Sequence, residues 1–149
     1  MIYLFDFNDS FTYNIYSQLK IINSNLKIKI IPYDNCVSTL DDLVISTTKS
    51  IVIFGPGPGH PDDYKSISKI IPKILGNPSL FFVGICLGHQ ILWHAKGLKV
   101  EICEKPIHGQ ACEYELEEKD YFRKLLKLKT PKIKVQRYNS LCIKEAEFI

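Results

Sequence analysis

The chain has 149 residues, 46% hydrophobic and 23% charged, with a net charge of +3; it is one domain's length and can bury roughly 70% of its unfolded surface. Even its densest basic stretch, Lys124 to Lys134, alternates lysine with leucine, threonine and proline, which reads as a solvated face and argues against nucleic-acid binding. No apolar run approaches the ~18 residues of a membrane span, Met1 to Ser10 is no secretory signal, and five cysteines without C-x-x-C spacing argue against a disulfide framework or metal site and for a cytoplasmic protein.

Strands and helices are expected to alternate. Ile2 to Phe7 is a short apolar run, and Asn8-Asp9-Ser10 offers capping side chains to a helix from Phe11 to Ile22. That helix carries Phe11, Ile15, Leu19 and Ile22 on one stripe. Lys27 to Ile31 alternates and stops at Pro32, so it is expected to be a second strand. Leu40 to Ile45 suggests a short helix, and Ser50 to Phe54 a third, buried strand. After the loop Gly55 to Asp63, a helix is expected from Tyr64 to Leu75, ended or kinked by Pro72. Leu80 to Ile85 makes a fourth strand, Leu87 to Ala95 a helix, and Leu98 to Cys103 a fifth strand. The order predicts an α/β fold: an open, mostly parallel sheet with helices on both faces and ligands beyond the carboxyl ends of its strands. From Gly109 on the pattern changes. Gln110 to Leu116 and Lys132 to Tyr138 have no long helix between them, which predicts a small antiparallel excursion after residue 109. Glu147-Phe148-Ile149 has the look of a strand beginning.

Two segments carry chemistry. Gly84-Ile85-Cys86-Leu87-Gly88-His89-Gln90 has the small-x-nucleophile-x-small spacing of a nucleophile elbow, set between a strand and a helix. Glycines are needed there because a tight strand-to-helix turn brings backbones too close for a Cβ. A cysteine at a helix N-terminus also faces the positive end of the helix dipole, which predicts a thiol pKa below the free value of roughly 8.5. The first helical N–H groups, beginning with Leu87, point where an oxyanion forms. The second segment, Gly55-Pro56-Gly57-Pro58-Gly59-His60-Pro61, follows the third strand at the same sheet edge. It is a rigid loop with exposed backbone N–H groups, and it fits neither a phosphate loop nor G-x-G-x-x-G.

Together with Asp9-Ser10-Phe11-Thr12-Tyr13-Asn14, Arg137-Tyr138, Ser140-Leu141 and the weaker Pro106-Ile107-His108-Gly109, these segments resemble one family in order and spacing. The resemblance is to class I (triad) glutamine amidotransferases, specifically the glutaminase subunit (component II) of anthranilate synthase or aminodeoxychorismate synthase. It implies a flavodoxin-like single domain over 1–149 and no cofactor or metal. It further implies that Cys86 attacks the side-chain amide of L-glutamine, releasing ammonia to a larger chorismate-binding synthase subunit. Gly57 and Leu87 would form the oxyanion hole, and Gly57, Gly59, Gln90, Ser140 and Leu141 would bind the substrate.

The match departs from the family in one important respect. The family's catalytic histidine and its orienting carboxylate come from a late His-Pro-Glu, and no such motif occurs before the chain stops at Ile149. None of the four histidines is an obvious replacement: His60 is a loop residue, His89 and His94 lie on the elbow helix, and His108 matches a His-Gly that the family has in addition. Asn139 stands in place of a usual histidine, and Phe7 in place of a usual asparagine. The expectation is therefore a C-terminally incomplete glutaminase subunit, impaired or inactive as written, with an exposed apolar sheet face or edge. The alternative is a non-catalytic, degenerate amidotransferase domain that still binds its synthase partner. A stand-alone cysteine hydrolase acting on γ-glutamyl substrates is disfavoured by the first-turn motif and the Arg-Tyr-x-Ser-Leu segment.

Overall fold

The computed structural model describes residues 1–117, 121–125 and 127–143; the strand expected at 147–149 lies outside them. The chain forms two compact units, one taking in Met1–Val100 and returning at Ile143, the other Glu101–Cys142.

The first unit contains β1 (Ile2–Asp6), α1 (Thr12–Ile22), β2 (Ile28–Pro32), α2 (Cys36–Val44), β3 (Ser50–Phe54), α3 (Lys65–Leu75), β4 (Leu80–Gly84) and α4 (Leu87–His94). The four strands are parallel in the order β2-β1-β3-β4, a doubly wound arrangement. Side-chain alternation divides the core between the two faces. Ile2, Leu4 and Ile53 face Ile15, Tyr16 and Leu19 of α1. Phe5, Phe7, Val52 and Phe54 face the buried residues of α2, α3 and α4, among them Leu40, Ile67, Ile71 and Ile91. The two ends of the expected α1 stripe, Phe11 and Ile22, are exposed, because the helix meets the sheet only through its middle turns.

Two helices differ from expectation. Helix α2 starts at Cys36, four residues ahead of Leu40, after a short 3₁₀ turn at Tyr33–Asn35. Its first residue is fully buried, so packing sets the start. Helix α3 continues through Pro72 to Leu75. The proline costs about 3 kcal/mol, but it lies on the exposed side while Ile67, Ile70, Ile71 and Ile74 are buried. Burying each isoleucine is worth ~1.5–3 kcal/mol, so the apolar face outweighs the missing hydrogen bond.

The second unit is a two-stranded sheet of β5 (Val100–Glu115) and β6 (Lys132–Ile143), with α5 (Tyr121–Leu125) between them in sequence. The antiparallel excursion thus begins near residue 100 rather than after 109, and Leu98–Cys103 does not supply a separate fifth strand. Pro106 and Gly109 both lie inside β5. In a two-stranded ribbon one side of each strand has no partner, so a missing N–H is tolerated, and Gly109 takes a positive φ of 72°. Among the described residues, no helix is long and apolar enough to cross a membrane.

Candidate active site

The parallel register sets Phe5 beside Phe54, and Phe54 beside Gly84. The turns after β1, β3 and β4 therefore emerge at one edge of the sheet. The last of these is the elbow. Cys86 has φ 52° and ψ −111° at the head of α4, a conformation costing a non-glycine residue ~1–3 kcal/mol. Close packing holds it there. A Cβ on Gly84 would lie 2.5 Å from His89 Cα, and one on Gly88 would overlap the Phe54 carbonyl group, 2.5 Å from its carbon. The Ile85 N–H donates to Phe54 O at 2.9 Å and the Gly88 N–H to Gly55 O at 3.1 Å, stitching the elbow to the end of β3. Both glycines are thus required by backbone approach, as the spacing implied.

The Gly55–Gly59 loop is tied down along its length. The Gly55 N–H donates to Phe5 O at 3.1 Å, and the Tyr64 hydroxyl to Pro58 O at 2.8 Å. The next residue, His60, donates its N–H to Asp63 Oδ2 at 2.8 Å, opening a capping box. A Cβ on Gly57 would lie 2.5 Å from Phe7 Cβ and 2.6 Å from Leu87 Cδ2, so this loop runs directly over the start of α4. Phe7, the unexpected residue of the first turn, is buried beneath it, with its ring 5.3 Å from Tyr64 and 6.1 Å from Phe54. A large apolar ring there supports the loop from below. Gly59 has a positive φ of 80°, and Gln90 is buried one helical turn along from Cys86.

The first turn contributes groups that sequence reasoning left out of the site. Asp6 Oδ1 accepts from Thr12 Oγ1 at 2.8 Å and from the Asp9 N–H at 3.2 Å, and Asp9 Oδ1 caps the Phe11 N–H at 2.8 Å. The Asp9 carboxylate then lies close enough to act on the Cys86 thiol. The Asp-x-x-Asp spacing of β1's exit was the available signal. The expected lowering of the Cys86 pKa is not found. Although the residue is exposed at its surface, desolvation of the sulfur raises its pKa and Asp9 adds to the rise; the hydrogen bond from the Leu87 N–H opposes them without prevailing.

The histidines have other attachments. His60 Nε2 lies 3.1 Å from Val100 O, and its Nδ1 accepts from the Asp62 N–H at 3.2 Å. His94 Nε2 is 3.4 Å from Asp62 Oδ1. His89 packs edge-on to Trp93, and desolvation lowers its pKa. His108 belongs to the second unit, where its Nε2 is 2.9 Å from Ser140 Oγ and its ring stands edge-on to Tyr138. Cys86, Gly57, Gly59, Leu87 and Gln90 are thus gathered in the first unit, while Ser140 and Leu141 lie on β6 of the second.

The glutamine amidotransferase class-I family model matches residues 3–148. The chain belongs to that family. Among its relatives are anthranilate synthase component 2 of Cyanophora paradoxa, 39% identical over 97% of this chain and 70% of that protein, and the aminodeoxychorismate/anthranilate synthase component 2 of Bacillus subtilis, 31% identical over 97% of this chain and 69% of that protein. Anthranilate synthase component 2 of Vibrio parahaemolyticus is 30% identical over 89% of this chain and 64% of that protein. The amidotransferase chain therefore spans about two thirds of these relatives' length. Two solved structures share the fold: a protein described as a GMP synthase component from Thermoplasma acidophilum (TM-score 0.69, 21% identity, 95% of this chain and 65% of that one) and a glutamine amidotransferase from Thermotoga maritima (TM-score 0.60, 15% identity, 96% of this chain and 61% of that one).

Proposed function

We propose that this chain is the glutaminase part of a chorismate-aminating synthase, with Cys86 as its nucleophile and L-glutamine as its substrate. The observation that carries this reading is the strained Cys86 at the head of α4, with the Leu87 N–H on its sulfur and the Gly57 loop over the same turn. In the reaction the Cys86 sulfur bonds to the glutamine amide carbon and the carbonyl oxygen gains negative charge. The N–H groups of Gly57 and Leu87 hold that charge. The C–N bond breaks, ammonia leaves once protonated, and water hydrolyses the thioester to glutamate. Gly59 and Gln90 hold the substrate's remaining polar groups. Ammonia then passes to a larger chorismate-binding subunit, giving anthranilate or aminodeoxychorismate according to that partner. Exposed Phe11 and Tyr13 of the first-turn motif offer apolar surface for docking it.

Turnover by the 149 residues alone is impaired or absent in this reading, because the thiol pKa is raised and the histidines are engaged elsewhere. The same observation favours a second reading, an amidotransferase domain that binds its partner without catalysis. Two measurements separate them. An electrophilic chloroketone analogue of glutamine should alkylate Cys86 selectively, with glutamine protecting it and Cys86→Ala abolishing the label. Absence of protection would rule out the glutaminase reading and leave the binding domain. Ammonia release with and without a chorismate-binding partner, compared with Cys86→Ala, then tests turnover; rapid Cys86-dependent release by the chain alone would refute the impairment.

A further inference from the structure

The side chains at the far end of the Gly55–Gly59 loop make one contact too many for a single protonation state. His60 caps the short 3₁₀ turn Pro61–Tyr64, and its own N–H donates to Asp63 Oδ2 at 2.8 Å. Its Nε2 lies 3.1 Å from the Val100 carbonyl oxygen; a carbonyl only accepts, so Nε2 carries a hydrogen. Its Nδ1 meets two groups of Asp62, the backbone N–H at 3.2 Å and the carboxylate Oδ2 at 3.1 Å. The N–H needs a lone pair on Nδ1, whereas the carboxylate needs a proton there. One nitrogen cannot satisfy both at once. We propose that His60 is a proton-operated switch, which exchanges a cap on the Asp62 N–H for an ion pair with the Asp62 carboxylate.

Neutral His60 keeps its hydrogen on Nε2, and Nδ1 accepts from the Asp62 N–H. The Asp62 carboxylate then faces a lone pair and turns to its other neighbour, His94 of α4, whose Nε2 is 3.4 Å from Asp62 Oδ1. A proton added at His60 Nδ1 reverses this: the imidazolium donates to Asp62 Oδ2, and the Asp62 N–H loses its acceptor. His94 offers that proton no comparable place. Its ring stands edge-on to His60 at 6.0 Å, but its Nδ1 is buried with no hydrogen-bond partner, which suits a bare lone pair and not an added N–H. Among the described residues, Asp62, Asp63 and His94 are the titratable side chains that face His60. Tyr64 turns its hydroxyl to Pro58 O, Lys65 opens α3 directly after the turn, and Lys99 and Glu101 flank Val100 in sequence. The cap joins the ring to the backbone of the turn, whereas the ion pair joins it to a side chain. In the glutaminase reading this loop carries the Gly57 N–H, so the same proton bears on the oxyanion hole; that consequence rests on the reading, and the switch does not.

The test is a titration of the 149-residue protein from about pH 8 to about pH 5, the range in which imidazoles change charge, followed by proton–nitrogen NMR of the histidine rings and backbone amides. At the alkaline end His60 should be the Nε2–H tautomer, with the Asp62 amide hydrogen-bonded. Acidification should protonate His60 Nδ1 and move the Asp62 amide resonance towards its unbonded position, both with one midpoint. His60→Gln should abolish that movement. An Nδ1–H tautomer at alkaline pH, an Asp62 amide that ignores the His60 midpoint or follows that of His94 instead, or a movement that survives His60→Gln would overturn the proposal. The tautomer and the shared midpoint are read on the unaltered chain, so they decide the matter even where His60→Gln does not fold. All are read at His60 and Asp62 without glutamine, so a failure of the glutaminase reading would leave them unchanged.

Discussion

Gly88→Ala isolates the close approach that builds the elbow. The added methyl would lie 2.5 Å from the Phe54 carbonyl carbon and 2.6 Å from Phe54 Cβ. Phe54 cannot retreat easily: it is fully buried, stacked 5.2 Å from Phe5, and its carbonyl accepts the Ile85 N–H at 2.9 Å. Helix α4 must therefore lift, which costs about 1–3 kcal/mol in repacking. Lifting also weakens the Gly88 N–H bond to Gly55 O, about 1 kcal/mol more. The better helix propensity of alanine returns at most ~1 kcal/mol. A net loss of ~2 kcal/mol is expected, equivalent to ~4–8 °C at this chain length. Gly76→Ala is the control, because Gly76 has an ordinary φ of −78° and its nearest clash candidate, Lys73 O, is at 3.7 Å. Urea unfolding of both variants can be followed through the fluorescence of Trp93, the chain's one tryptophan, which sits on α4 itself. If Gly88→Ala unfolds at the same urea concentration as Gly76→Ala, the close-approach argument is wrong.

Asp9→Asn keeps an acceptor for the Phe11 N–H and removes the charge acting on Cys86, so iodoacetamide should alkylate Cys86 several-fold faster at neutral pH; an unchanged rate would show that Asp9 does not act on the thiol. Cys36 is fully buried and its thiol pKa is pushed from 9.0 to about 12, chiefly by desolvation and then by Asp6 and Asp34. A raised folded pKa means stability is intact below the unfolded value and falls as pH climbs from about 9 towards 12, by up to ~1.4 kcal/mol per pH unit. Cys36→Ala should flatten that alkaline slope in urea titrations while lowering stability at pH 7. Pro72→Ala should stabilise the chain by ~1–3 kcal/mol, since the side chain is exposed and the substitution restores a helical N–H; a lower melting temperature would mean that Pro72 packs more than its exposure indicates.

Apolar runs at β1 and β3 alternating with helices are enough to read the parallel sheet and its two covered faces, and Ile2, Leu4 and Ile53 pack on one side and Phe5, Val52 and Phe54 on the other. The elbow is legible for a related reason: Gly84 and Gly88 record steric demands that no other residue meets. The long ribbon is not. Pro106 and Gly109 are local breakers, yet among the described residues β5 pairs only with β6, and a strand with one side outside the ladder tolerates both. Helix α3 hides its length similarly, since the cost of Pro72 is local while the gain from its isoleucines appears only once they are buried. Asp9 reads in the sequence as part of a motif and not as a group of the site, because its influence on Cys86 arises from the turn that Asp6 and Thr12 hold together.

The Cys86 thiol shows why helix position alone does not predict reactivity. A helix N-terminus is worth ~0.3–1 kcal/mol to a nearby anion, which is less than one pKa unit at about 1.4 kcal/mol per unit. Desolvation can shift a buried group by as much as ~3–5 units, so even partial removal of water from the sulfur cancels the dipole. A neighbouring carboxylate then tips the balance further. The geometry that holds Cys86 in place, close backbones and a loop laid over the turn, thus goes together with a desolvated sulfur and a raised thiol pKa. In the proposed glutaminase reading, a base or cation brought to the sulfur offsets that rise. Cys86 alkylation should consequently accelerate when an exogenous imidazole is supplied at pH 7, far more than alkylation of Cys112 in the same molecule; equal acceleration of the two would show that Cys86 is merely an exposed surface thiol.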